Sequence, residues 1–209
     1  MSLAEAEVHR PLRAKARNVL MGREPDILAE IDAPGVAATI WTRTCDQDFQ
    51  SWIDALPFEQ LPELRTIVPV HLAEAAAIAA CDQANMPKGP EMDMLTGDVG
   101  ALAMMLAKSL NIRQVRVRLD VSNEVMCPKF DVDNVPARLL CTYRGKGTEY
   151  VPMGQENDQQ SVRQVTRGAV ALFRGGAWHG EERTGLFHRS PNPEPGRGHR
   201  LLLVIDPVE

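Results

Sequence analysis

Two carboxylates separated by a single residue, Asp131 and Asp133, stand in the run CPKFDVDNVPARLLCTY, which then turns apolar. Residues at even separations share one face of a strand, so Cys127, Asp131 and Asp133 point the same way if the run is regular. Two carboxylates on one inward face repel each other unless a cation or an arginine neutralises them. A D-x-D in an arbitrary sequence is more often a solvated pair at a turn, and the residues downstream weigh against that here. Arg200 alternates with Leu202 and Val204 along HRLLLVID. An arginine on an apolar inward face needs an anion, either a ligand carboxylate or Asp131 and Asp133 themselves. Arg138 is a second candidate partner for these carboxylates. A buried arginine–aspartate network without metal is therefore the structural alternative to a metal site.

The elements that must position these residues differ between the two parts of the chain. Up to about residue 111 the pattern is mainly helical. Thr44 to Gln47 reads as a capping box, followed by Phe49, Trp52, Ile53 and Leu56 at helical spacing. HLAEAAAIAACDQA has strong helix propensity. DMLTGDVGALAMMLAKSL places Leu95, Val99, Leu102, Leu106 and Leu110 on one side. GVAATIW and RTIVPV are short β runs between these helices. From residue 112 to 209 the period becomes two. In QVRVRLDV, Val115, Val117, Leu119 and Val121 face one way, and Gln114, Arg116, Arg118 and Asp120 face the other. KFDVD, VPARLLCTY, TEYVP, GAVALF, GLFHRS and HRLLLVID follow, separated by Gly, Pro and Asn turns. Such a series indicates a β-sandwich or small barrel. The fold expected is α+β, with a mainly helical region 1–111 packed on a β region 112–209 as one compact unit.

Composition narrows the partners. The chain has 209 residues, 44% hydrophobic and 24% charged, and a formal net charge of −5. That charge supplies no basic field for nucleic acid. No run approaches the roughly 20 apolar residues of a membrane span, and the first 20 residues lack the apolar core of a signal peptide. The four cysteines (Cys45, Cys81, Cys127, Cys141) form no C-x-x-C pair and are expected to be reduced thiols. A cytoplasmic protein with a small-molecule ligand is expected.

The order of features after the D-x-D carries a resemblance. A strand RLLCTY, the turn RGKGTEY, the strand GAVALF, then His188 and Arg200, resemble the iron- and 2-oxoglutarate-dependent oxygenases over Arg113 to Asp206. A second, more specific resemblance is to a bacterial family catalogued as domain of unknown function 1826. It rests on Cys127, Pro128, Lys129, Phe130, Asp133, Arg138, Leu139, Thr142, Tyr143, Gly145, Gly147, Thr148, Glu149, Trp178, Gly180, His188, Arg189, Ser190 and Pro191. These resemblances imply a double-stranded β-helix, a cupin-like jelly roll, in the second half. They also imply a metal held by Asp131, Asp133 and His188, with 2-oxoglutarate gripped by Arg200, and a link to zinc homeostasis. The departure is Asp131, which stands where both families carry His. Two oxygen donors and one imidazole suit Fe(II) or Mn(II), with Zn(II) less favoured. His179 in AWHGEE offers a replacement imidazole, although its Gly-rich setting reads as an exposed loop. Cys127 with Asp133 and His188 would make a zinc-like set, against the commoner fate of a free Cys as a small buried hydrophobe. Trp178, Tyr143 and Arg189 are further candidates to line the pocket, with core packing the default for the aromatics. An oxygenase, a non-enzymatic binder of a metal or small acid, and a metal-free scaffold are the three readings.

Overall fold

The computed structural model describes residues 14–123, 129–192 and 199–208. Its elements in order are β1 (Lys15–Ala16), β2 (Asn18–Gly22), β3 (Val36–Trp41), α1 (Gln47–Ala55), β4 (Leu64–Pro69), α2 (Ala73–Gln83), α3 (Pro90–Leu110) and β5 (Gln114–Ser122). Then come β6 (Ala137–Arg144), β7 (Glu149–Pro152), β8 (Arg163–Gln164), β9 (Val170–Arg174), β10 (Arg183–Thr184), β11 (Leu186–Arg189) and β12 (Arg200–Val208).

Helix α3 begins at Pro90, whose ring presets the first turn, with Glu91 and Asp93 against the positive end of the helix. It ends where Asn111 turns left-handed (φ 52°). Leu95, Val99, Leu102 and Leu106 are buried as one stripe, each worth roughly 1.5–3 kcal/mol on leaving water. Helix α1 corrects the capping box. Its N-cap is Asp46, whose carboxylate accepts from the Asp48 and Phe49 amides, and Gln47 is the first helical residue. An ionised oxygen at this position takes two orphan amides at once, so Thr44 is left upstream in the loop.

The major sheet has seven strands in the order β2-β3-β9-β6-β12-β5-β4. GVAATIW and RTIVPV supply β3 and β4 of this sheet, so residues on both sides of position 111 build it. The three helices cover one face. Val115, Val117, Leu119, Leu139, Cys141, Leu201, Leu203 and Ile205 point into that core with the α1 and α3 stripes. On the other face Leu140, Ala171, Phe173, Leu202 and Val204 form a second apolar cluster with Tyr150 and Leu186 of the minor sheet β11-β7-β8. Two facing sheets, one of them backed by helices, make the double-stranded β-helix expected from the second half. β1 and β10 form a separate parallel pair. Among the described residues no helix is long and apolar enough to cross a membrane.

Candidate ligand site

The period-two alternation of β12 decides what enters the space between the sheets. Leu201, Leu203 and Ile205 go to the helices, and Arg200, Leu202, Val204 and Asp206 go to the opposite face. The neighbours β6 and β5 add Arg138, Leu140 and Thr142, and Arg118 and Asp120. Residue 131 joins the minor sheet through a bridge to His188, each donating its amide to the other's carbonyl at 3.1 Å. Directly opposed residues share a face, so Asp131 and His188 line one cavity of about 200 Å³ with Arg118, Asp120, Asp133 and Arg138.

His188 stacks on Phe173 (centroids 4.8 Å apart, planes at 22°), which fixes the imidazole plane. Its Nε2 stands 2.7 Å from Asp133 Oδ2. Asp133 Oδ1 meets Arg138 Nη1. Arg138 donates from Nε and Nη2 to the two oxygens of Asp206, both at 2.7 Å, and Asp206 is 1% exposed. Burial pushes the Asp133 carboxyl up, but His188 and then Arg138 outweigh it and hold the carboxyl below its usual range. For Arg138 burial acts to lower the pKa, and Asp206 and Asp133 reverse the sign.

Arg200 is placed differently. It donates from Nε to the Lys146 carbonyl (2.8 Å) and from Nη2 to the Thr142 and Thr148 hydroxyls (3.2 and 3.1 Å). Among the described residues no carboxylate forms an ion pair with it. Burial lowers its pKa to about 10, only partly opposed by the charge of Asp120. The β6–β7 turn closes over it. Gly145, at φ +84°, brings its backbone so near that a Cβ there would lie 3.3 Å from the Arg200 Cβ.

The remaining sequence candidates divide. Arg189 lines the same cavity, pairs with Glu149 (2.8 Å) and lies over the Phe130 ring (4.1 Å). Tyr143 is on the helix side of the sheet, its hydroxyl donating to Asp98 (2.6 Å), and it faces a separate hollow beside Arg43. Trp178 packs in the helix-side core under the Arg174 guanidinium (4.7 Å). His179 is 65% exposed, stacked on Trp178 and outside the cavity. Cys127 lies outside the described residues. Sequence reasoning missed Arg118, Asp120, Thr148 and Asp206. The available signal was the polar face of QVRVRLD and the acid ending an otherwise apolar strand.

Two facing sheets with this cavity between them define a double-stranded β-helix. The dioxygenase for auxin oxidation 1 from Arabidopsis thaliana, in its 2-oxoglutarate binary complex, superposes with a TM-score of 0.53 at 11% identity, covering 92% of each chain. The rice dioxygenase for auxin oxidation gives 0.47 at 14% identity, covering 91% of this chain and 82% of that one. A Pseudomonas putida prolyl-4-hydroxylase gives 0.45 at 8% identity, covering 87% and 96%. No curated protein matches the sequence. Residues 22–206 match the protein family of unknown function DUF1826, and the chain belongs to that family.

Proposed function

We propose that this protein binds a small dicarboxylate of the 2-oxoglutarate class, with Arg200 on one of its carboxylates. The observation that carries the reading is a largely buried guanidinium that donates to a carbonyl and two hydroxyls and forms no ion pair with a carboxylate among the described residues. An arginine stays protonated at neutral pH even with its pKa lowered to about 10. A buried charge without an anion destabilises the fold, and an entering carboxylate relieves that penalty. Thr142 and Thr148 each accept from Nη2, so their own hydroxyl hydrogens are free to donate to the same carboxylate. The adjoining cavity, which Thr148 lines, has about 200 Å³, below the roughly 300–1,000 Å³ typical of larger ligand clefts, and this favours a small acid.

A metal-dependent form of this reading is favoured by one observation: Asp131 makes no ion pair among the described residues, yet it is in register with His188 beside Asp133. Asp131, Asp133 and His188 would hold the ion, and Fe(II) there would supply the dioxygen chemistry of an oxygenase. The fit is incomplete. Asp131 Oδ1 accepts from the Val132 amide (2.7 Å), and Asp133 is engaged by His188 and Arg138. Among the described residues no three His, Cys, Asp or Glu side chains form a group that could hold a metal.

Calorimetry with 2-oxoglutarate, in EDTA and then in Mn(II), tests both forms. Arg200→Met should weaken binding by about tenfold or more, since a charge-assisted bond contributes roughly 1.5–3 kcal/mol. No binding by the wild type in either buffer ends the reading. For the metal, Asp131→His should raise the affinity for Fe(II) and Zn(II) relative to Mn(II) in competition experiments. An unchanged ratio removes residue 131 from the ligand set.

A further inference from the structure

The cavity is lined by an arginine with no satisfactory partner among the described residues. Arg118 lines it from β5, and its Nε is one of two buried side-chain polar atoms without a hydrogen bond among the described residues. Among the described residues the nearest counter-charge, Asp120 Oδ2, is 3.8 Å from Nη1, and the same carboxylate is 3.7 Å from Arg65. Neither distance makes a hydrogen bond. A buried arginine donor left unmade costs stability unless something else accepts from it.

The register separates Arg118 from Arg200. Arg118 is opposite Val204 of β12, and Val204 is opposite Leu140 of β6. Arg200 is opposite Ser122, four positions along β5 from Arg118. At about 3.4 Å per residue the two arginines leave the sheet roughly 14 Å apart. Leu140, Leu202 and Val204 line the cavity beside Arg118, and Thr148, which accepts from Arg200, lines it too.

We infer that Arg118 receives the anionic group of a second small ligand, a monocarboxylate held on this apolar floor while Arg200 holds the dicarboxylate. A carboxylate has the planar fork that matches Nε and the adjacent Nη2. A phosphate dianion is disfavoured by Asp120, Asp131 and Asp133 on the same walls. The apolar floor calls for an aliphatic body behind the carboxylate. The inference rests on the cavity being an anion site, and its test separates the two arginines.

The probe is butyrate, with butyramide as its uncharged control, titrated calorimetrically into the full chain with and without saturating 2-oxoglutarate. Wild type binds butyrate and not butyramide in both conditions. Arg118→Met lowers butyrate affinity by at least about tenfold while leaving 2-oxoglutarate affinity within about twofold, and Arg200→Met does the reverse. Arg118→Lys, which keeps the charge and loses Nε, still binds butyrate more weakly than wild type and guards against misfolding of the Met variant. Butyrate binding that survives in Arg118→Met, or no butyrate binding at all, overturns the inference, since water then satisfies Nε. Equal loss of 2-oxoglutarate in both Met variants also overturns it, because one ligand then spans both arginines. If 2-oxoglutarate fails to bind but butyrate binds through Arg118, the Arg200 reading falls and this one stands.

Discussion

Asp206, Arg138, Asp133 and His188 form a chain of charge-assisted contacts running from the sheet interior to the cavity wall. Removing one partner of such a chain leaves the other charged and dry. Asp206→Asn should therefore destabilise the protein by about 3–5 kcal/mol in urea denaturation, and a far smaller loss would mean that Arg138 reaches solvent. Asp133 gives a pH signature. Its carboxyl pKa is depressed in the fold, so its contribution is present above the unfolded value near 4 and is lost as pH falls through the folded value. Asp133→Asn should flatten the acid limb of the stability curve below about pH 4, read by thermal melts across pH. Arg200 has the opposite character. A base with a lowered pKa is held charged at a loss below that pKa, and the loss is recovered only as pH rises above about 10. Arg200→Met should accordingly destabilise the unliganded protein less than Asp206→Asn does, while abolishing its thermal shift with 2-oxoglutarate.

At the scale of elements, the β6–β7 turn ties the site to the fold. A Cβ on Gly147 would sit 1.7 Å from the Val165 carbonyl, and Val165 donates its amide to Thr148. Gly147→Ala must push the turn outward, moving the Lys146 carbonyl and Thr148 that hold Arg200. About 1–3 kcal/mol of stability should go, together with dicarboxylate binding, measured by urea denaturation and calorimetry on the same variant. The helices were legible because their apolar spacing is long and regular, as in Leu95 to Leu106. The alternation of β12 was legible for the same reason, and it placed Arg200 with Leu202 and Val204. Arg118 and Asp120 were not found, because period two cannot distinguish a solvated face from one roofed by a second sheet. Tyr143 and Asp133 show a related limit: both look inward in the sequence, yet they lie on opposite sides of the major sheet. The Asp46 cap was displaced from the expected box because Thr44 and Asp46 are both good caps, and only the path of the loop chooses between them.

In the whole molecule, both cores share one partition, the seven-stranded sheet, and its strand order departs widely from chain order. β12 lies between β5 and β6, pairing with β5 over its full length, from Arg200–Ser122 to Val208–Gln114. Pairings this distant in sequence give high contact order, so folding on the millisecond-to-second scale is expected in stopped-flow refolding. A submillisecond single phase would contradict that. The position of β12 also sets a timetable for synthesis. On a translating ribosome β5 and β6 emerge long before their common neighbour, and until residues 200–208 leave the exit tunnel each exposes an open edge able to recruit a strand from another nascent chain. The cavity, walled partly by Leu202 and Val204, cannot close until the same moment. A ligand of this cavity can therefore stabilise the protein only once β12 has left the tunnel.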